Sequence, residues 1–163
     1  MSRIKVDALQ GTSGSDTAIT LSGANATVGG TLAVTGVHTI GTNAVATSEG
    51  GAATANVTQG LAKAWVQFKG PDTFGIQDSL NLSSMDDNGT GDYTMSILND
   101  MSSANYSITA TGYKPNADFG FITNNNEGFI TAATARVETV EHDGGHKQTE
   151  FTRSCVTFHG DLA

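Results

Sequence analysis

The first 64 residues of this sequence lack the side chains that usually build a protein core. All eleven aromatic residues lie at Trp65 or beyond it. Between Ala8 and Ala62 the only formal charges belong to Asp16 and Glu49. Because aromatic side chains supply much of the apolar area that a core buries, we expect that this part of the chain cannot fold around a core of its own.

Other absences narrow the class of protein. The single cysteine, Cys155, excludes an intrachain disulfide. No window approaches the roughly 20 apolar residues of a membrane span, and the N-terminus MSRIKVDALQ has no apolar run of the length that an export signal needs. The sequence therefore predicts a protein that does not insert into membranes.

Charge is distributed as unevenly as the aromatic residues. Residues 1–64 carry three basic and three acidic side chains, whereas residues 65–163 carry five basic and thirteen acidic ones. The formal net charge of −8 therefore belongs to the second part. No basic patch or stripe is visible, so nucleic acid is not a predicted partner.

A period of two runs from Ala26 to Ile40. Apolar and small side chains occupy the even positions and threonines recur at the odd ones, as expected of half-buried β-structure. Identical chains that associate could bury such strips against one another and close by rotational symmetry. The side chains predicted to form this interface between copies are Val28, Leu32, Val34, His38 and Ile40.

The amino-acid composition of the chain changes at Ala64. Residues 41–62 are mostly Ala, Gly, Thr, Ser and Asn, and AATANVTQGLAK (52–63) indicates a short helix, an extended connector or disorder. Beyond it, short strand candidates alternate with turn signals and show almost no helical periodicity. We predict an all-β chain: a short interlocked β-rich stalk over 1–62, then an antiparallel, jelly-roll-like β-sandwich head over 63–163, assembled as a trimer.

Three stretches resemble structural proteins of marine tailed bacteriophages, the tail fibres and related virion appendages. They are IKVDALQGTSG, ATVGGTLAVTG and, most specifically, the block from 59 to 97 that contains QGLAKAWVQFKG and IQDSLNLSSMDDNGTGDYTMSI. The resemblance implies a homotrimeric virion component with a shaft-like N-terminal part and a globular β-rich domain. It carries no catalytic residue onto this chain.

The function expected from these features is mechanical and adhesive. The N-terminal segment would attach to other virion proteins, and the head would meet a host-surface glycan or protein, in a particle assembled in the host cytoplasm. No enzymatic activity and no cofactor are predicted. A capsid decoration or head-fibre protein fits the same sequence features. A virion-associated glycan-degrading enzyme is a further alternative, but the sequence has no carboxylate pair that stands out as catalytic.

Three motifs could hold metal, and each also has a plainer interpretation, which we favour. DDNGTGD (86–92) echoes a calcium loop, but Ile97 stands where that loop needs a bidentate glutamate, so a hairpin turn is expected. EHDGGH (141–146) offers two histidines and a carboxylate to zinc but is predicted to be an exposed loop. His38 would meet its copies near a trimer axis, or would simply face solvent.

Loop tips on a rigid scaffold are where receptor contacts usually lie. The stretch NNNEG (124–128) and the histidines of EHDGGH have polar side chains that can form hydrogen bonds with a receptor. The residues predicted to contact a receptor are Asn124, Asn125, Asn126, Glu127, His142 and His146. Cys155, between Ser154 and Val156, is predicted to be a small core residue.

Overall fold

The computed structural model describes residues 31–41, 44–47, 54–115, 120–124, 130–142 and 145–163. The chain divides into two compact units, Met1–Thr39 and Ile40–Ala163. The predicted boundary after residue 62 therefore falls inside the second unit. In the described part of the first unit, residues 31–39 are exposed and contain no strand.

The described residues of the second unit form β-strands with almost no helix, which confirms the all-β part of the predicted fold class. Its strands are antiparallel, and the helix found among the described residues is a single turn. In chain order the elements are β1 (Val45–Thr47), β2 (Thr54–Asn56), α1 (Val57–Gly60), β3 (Ala64–Lys69), β4 (Gly75–Leu80), β5 (Leu82–Gly89), β6 (Asp92–Ile97), β7 (Ser107–Tyr113), β8 (Gly120–Asn124), β9 (Thr134–His142), β10 (His146–Gln148) and β11 (Arg153–His159).

Two sheets build the body of this unit, residues 64–163, which we call the two-sheet body. The first sheet has the order β4-β3-β11-β7. In the second sheet β9 is central: β8 pairs with one edge, and β6 and β10 follow one another along the other edge, with β5 beyond β6. A separate hairpin of β1 and β2 precedes the body.

One core lies between the two sheets. Each strand that faces it alternates apolar with polar residues, so every second side chain points inward. The first sheet contributes from β3 and β11, and the second from β5, β6 and β9. The fully buried members of this core are Ala64, Val66, Phe68, Tyr93, Met95, Ala135, Val137, Val156 and Phe158.

Sequence patterns predicted most strands of the body and missed two. Predicted strands coincide with β3, β5, β6, β7, β8, β9 and β11. The missed strands are β4, at the edge of the first sheet, and β10, a three-residue strand beside β9. Most of β4 is exposed on both faces, so it has no apolar side to impose a period of two.

Residues 41–63 are partly resolved into elements. The stretch AATANVTQGLAK, for which the sequence allows a short helix, an extended connector or disorder, contains β2 and then α1. Asn56 caps the helix, because its side-chain Oδ1 accepts a hydrogen bond from the backbone N–H of Gln59 at 3.1 Å. Val57 donates its backbone N–H to the carbonyl of Ala44 at 2.9 Å, which joins the hairpin to the helix.

The predicted hairpin at DDNGTGD is confirmed, and Gly91 is the residue that it depends on. Gly89 pairs with Asp92, which leaves Thr90 and Gly91 as a two-residue loop. Gly91 has φ +69°, and a Cβ there would lie 2.6 Å from the carbonyl oxygen of Thr139 and 2.7 Å from the nitrogen of Thr149. Both the backbone conformation and the space therefore require glycine.

The prediction that Cys155 is a core residue is wrong. Val156 and Phe158 fix the inward side of β11, and the alternation places Ser154 inward and Cys155 outward. Ser154 is fully buried, and its Oγ has no hydrogen-bond partner among the residues that the structure describes. An isolated serine was not recognisable as a core position because its neighbours, not its own chemistry, decide its side.

Replacing Gly91 by alanine is expected to destabilise the body by about 3 kcal/mol or more, because the left-handed conformation and the backbone overlap both oppose a Cβ. Urea unfolding followed by circular dichroism measures the change. Gly75→Ala is the control, since a Cβ at Gly75 meets nothing within 4 Å. Equal losses in the two variants would contradict this role of Gly91.

Replacing Ser154 by alanine is expected to raise the free energy of unfolding by about 1 kcal/mol, because it removes a buried hydroxyl that lacks a partner. The same urea titration measures it. Ser107→Ala, at an exposed position of β7, is the matched control and should change little. A loss of stability in Ser154→Ala would show that the hydroxyl is satisfied.

Candidate functional site

The outer face of the first sheet is a broad surface whose composition follows from the pleat. Because Val66 and Phe68 point into the core, Trp65, Gln67 and Lys69 of β3 point outward. The strand pairings extend this face across all four strands. The outward side chains form cross-strand rows, one of which is Leu80, Trp65, Thr157 and Thr109, and the next of which is Asp78, Gln67, Cys155 and Thr111.

Trp65 is the aromatic centre of this face. It is the only tryptophan of the chain and is half-buried, with the half-exposed Leu80 opposite it on β4. Threonine hydroxyls lie on its other side, at positions 109, 111 and 157. An apolar ring flanked by hydroxyl and amide groups can pack against a ligand and hydrogen-bond its polar edges at the same time.

Two cations and a tyrosine form the next row of the same face. Arg153 pairs with the 54 %-exposed Tyr113. Ser154 pairs with Phe68, so Arg153 and Lys69 occupy the following, neighbouring positions on β11 and β3. In the part of the chain that the structure describes, neither cation makes an ion pair; the pairs found there are Lys114 with Glu141 and Arg136 with Asp92.

The opposite end of the two-sheet body carries exposed leucines. Their exposed fractions are 56 % at Leu61, 47 % at Leu80, 63 % at Leu98 and 45 % at Leu162. Three of these positions flank a hydrogen-bonded corner centred on Asn81, and Leu162 bridges to Met101 near the same corner. Single exposed leucines are ordinary, but several near one corner are typical of surfaces that bind a partner.

Asn81 holds that corner together. It has φ +57°, a conformation that asparagine tolerates better than most residues. Its Nδ2 donates to the carbonyls of Lys63 and Asn99 at 3.0 and 3.1 Å. Its Oδ1 accepts from the backbone N–H of Asn99 at 2.9 Å, and its carbonyl accepts from Leu98 at 3.0 Å. The corner therefore presents the leucines on a rigid base.

The predicted interface residues lie on exposed chain where they are described. Leu32, Val34 and Ile40 are 62 %, 46 % and 38 % exposed, and His38 is exposed as well. Val28 lies outside the described residues. Val37, which the period of two assigned to the threonine side, is 95 % exposed, more than any other large apolar side chain of the described residues. These apolar side chains are therefore exposed in the part of the chain that the structure describes.

The structure describes three of the predicted receptor contacts, and they lie at two separate places. Asn124 ends β8 and pairs with Val137, whereas His142 ends β9 and pairs with His146. Five residues of β9 separate those pairings, which is about 17 Å. Asn125, Asn126 and Glu127 lie outside the described residues.

In the described residues, the motifs considered as metal sites form strands and turns with their own hydrogen bonds. No group of three or more His, Cys, Asp or Glu suited to a metal ion occurs among the described residues. In DDNGTGD, Asp87 Oδ1 accepts the backbone N–H of Gly89 at 3.0 Å, and Asn88 Nδ2 donates to Thr94 Oγ1 at 2.8 Å. In EHDGGH, Glu141 and His142 end β9 and His146 begins β10, whereas residues 143 and 144 lie outside the described residues.

Two ion pairs brace the second sheet. Arg136 binds Asp92 with two parallel hydrogen bonds, Nε to Oδ1 at 2.7 Å and Nη2 to Oδ2. The hydrogen bond and charge of Arg136 lower the pKa of Asp92 although burial opposes this. Lys114 donates to Glu141 at 2.5 Å and to Thr149 at 2.7 Å, and the hydrogen bond and charge of Lys114 lower the pKa of Glu141.

The buried Tyr93 and the partly buried Tyr106 are held in hydrogen bonds. Burial, together with the hydrogen bond that its hydroxyl donates to Glu150, raises the pKa of Tyr93. Burial raises the pKa of Tyr106 to about 12, and its hydroxyl donates to the carbonyls of Thr131 and Thr134 at 3.0 and 3.1 Å. Both phenols are therefore neutral structural groups rather than acids or bases near neutral pH.

An open cavity of about 560 Å³ lies between α1 and the last three residues. Lys63, at its wall, donates from Nζ to the carbonyls of Leu61 at 2.8 Å and Thr58. Gln59 reaches across to Asp161 at 3.3 Å. The polar groups at this wall are engaged by the protein itself.

Comparisons with known proteins add no relative. None of the protein-family models, curated proteins or solved structures that were compared matches this chain. In the residues that the structure describes, no helix has the length and apolar character to cross a membrane.

Acid is expected to weaken the body through the Asp92–Arg136 pair. The folded-state pKa of Asp92 is lowered, so the pair's contribution is complete above the unfolded-state pKa of about 4 and is lost as pH falls through the folded-state pKa. Urea midpoints measured from pH 7 down to pH 2.5 should fall less steeply in Asp92→Asn than in the unmodified chain.

Arg136→Gln is the companion variant for this measurement. Because the guanidinium is the main cause of the lowered pKa, this variant should show the same shallower fall while Asp92 is retained. A slope that stays as steep as that of the unmodified chain would exclude the pair as its source.

Proposed function

We propose that this chain is a non-enzymatic structural subunit of a tailed-bacteriophage particle, a tail-fibre or short-spike protein that acts as a homotrimer. Its N-terminal segment attaches to other virion proteins and associates with its copies. Its antiparallel, jelly-roll-like β-sandwich is presented for adhesion to the host surface. The resemblance of residues 59–97 to such proteins motivates the proposal.

The observation that carries it is the uncovered apolar segment of residues 31–40. Leu32, Val34, Val37 and Ile40 expose between 38 % and 95 % of their surface, although burial of such side chains is the main driving force of folding and association. A second copy with the same strip supplies the missing apolar surface. Three copies close the arrangement by rotational symmetry and leave no strip uncovered.

The exposed leucines of the two-sheet body support association at a second place. Leu61 and Leu98 lie at the end of the body that the chain enters through α1 and residues 61–63. Val45, 57 % exposed, lies next to Ala44, which is hydrogen-bonded to this helix. Copies already joined by their N-terminal segments face one another at a high effective concentration, so even a weak apolar surface is used.

Multiple copies also suit adhesion. A flat sheet face makes weak contacts with a surface, and several such faces on one particle combine into strong attachment. The two-sheet body, braced by the Asp92–Arg136 pair and the Asn81 corner, supplies a rigid support of the kind that binding surfaces need.

The full chain is expected to have three times the mass of one chain by light scattering at two concentrations. Replacing Leu32, Val34, Val37 and Ile40 together by serine should lower the mass to that of one chain. The matched control, Thr31→Ser, Thr35→Ser and Thr39→Ser, alters the same segment without removing the strip and should remain trimeric.

A full chain that is monomeric at both concentrations would overturn the assembly. The location has its own test: mass spectrometry of purified virus particles from the source culture should detect peptides of this chain. Particles that lack them would overturn the assignment to the virion.

A further inference from the structure

We propose that the outer face of the first sheet binds an acidic polysaccharide, with sugar rings packed on Trp65 and an anionic group held by Lys69 and Arg153. The inference deepens the proposed function, because it assigns the ligand class and the residues of the adhesive surface. It does not depend on how many copies assemble.

The placement of the two cations is the first argument. Residues 65–163 carry thirteen acidic and only five basic side chains. Yet Lys69 and Arg153 occupy neighbouring outward positions on adjacent strands. Like charges beside each other across strands destabilise a sheet. The repulsion between these two cations lowers the stability of the sheet, although an acidic residue at either position would remove it. Such a local cost indicates a site that binds a negatively charged ligand.

The surrounding acids leave these cations available. Among the described residues, the ion pairs of the body engage Lys114 and Arg136, not Lys69 or Arg153. Asp78 is on the same face, opposite Gln67, but its carboxylate accepts the backbone N–H of Ser79 at 2.8 Å. The planar guanidinium of Arg153 suits a carboxylate, a sulfate or a phosphate, and Lys69 adds a second charge.

The second argument is the composition of the rest of the face. Trp65 lies four residues from Lys69 along β3, a distance of about 13 Å, so one polysaccharide chain can contact both residues. The amide of Gln67 lies between them, and the hydroxyls of Thr157 on β11 and Thr111 on β7 lie in the rows of Trp65 and Gln67. Sugar rings present apolar C–H faces to aromatic rings and hydroxyls at their edges. A sheet face that combines these groups fits a saccharide chain better than it fits an apolar peptide.

The single tryptophan allows binding to be read at the site itself. The full chain is titrated with polygalacturonate, which carries carboxylates, with dextran sulfate, and with neutral dextran, while the fluorescence of Trp65 is followed. We expect the emission to shift with at least one anionic polymer and not with dextran. Added salt should weaken the interaction, because the contacts with the cations are exposed.

The variants separate this site from general electrostatic binding. The double variant Lys69→Gln, Arg153→Gln should bind the anionic polymer about tenfold more weakly, in line with the loss of two charge-assisted contacts at a partly exposed site. Lys147→Gln, an exposed lysine on the second sheet, is the matched control and should bind as the unmodified chain does.

Three results would overturn the inference: no change in Trp65 fluorescence with any polymer, equal binding of dextran, or binding that the double variant leaves intact. A face that instead binds a protein gives the first of these. Light scattering of the same samples keeps the two proposals apart. Trimers that bind no polymer leave the assembly standing, and monomers that bind an anionic polymer leave the glycan site standing.

Discussion

The pleat of β3 and β11 is the constraint on which the rest of the structure depends. Val66 and Val156 are paired at the centre of the first sheet and both are buried. Their side chains fix which residues of the two strands enter the core, and a slip of one residue would exchange every inward side chain for an outward one. The same constraint therefore determines which side chains form the core and which, including Trp65, form the outer face.

The two sheets are joined at the end where that face carries its cations. Glu150 lies between them: its Oε1 accepts the backbone N–H of Gly91 at 2.9 Å, and its Oε2 accepts the hydroxyl of Tyr93. Gly70 donates its N–H to Phe151 at 3.0 Å. A Cβ at Gly70 would overlap the carboxylate of Glu150 and the hydroxyl of Tyr93, so a larger residue there would have to displace these groups. This close approach holds Lys69, the neighbour of Gly70, on a rigid strand end.

Polar and apolar surfaces are separated along the two-sheet body. The exposed leucines around Asn81 lie at one end, where β3 begins, and the cations of the outer face lie at the other, where β3 ends. Apolar surface favours contact with other copies, whereas unpaired charge opposes burial and favours a solvated, charged ligand. The cations and the leucine-rich end therefore lie apart, whereas Trp65, opposite Leu80 near the start of β3, lies where the proposed glycan face meets the leucine-rich end.

The sequence by itself determined the all-β class and the hairpin around Gly91, because these follow from local periodicity and turn chemistry. It did not reveal β4 and β10, since edge strands with two exposed faces have no apolar period, and it misplaced Cys155. Only the tertiary structure decided that Arg153 stands beside Lys69. Strand pairing between segments distant in the chain is selected by burial of the shared core, and that information is not present in either segment alone.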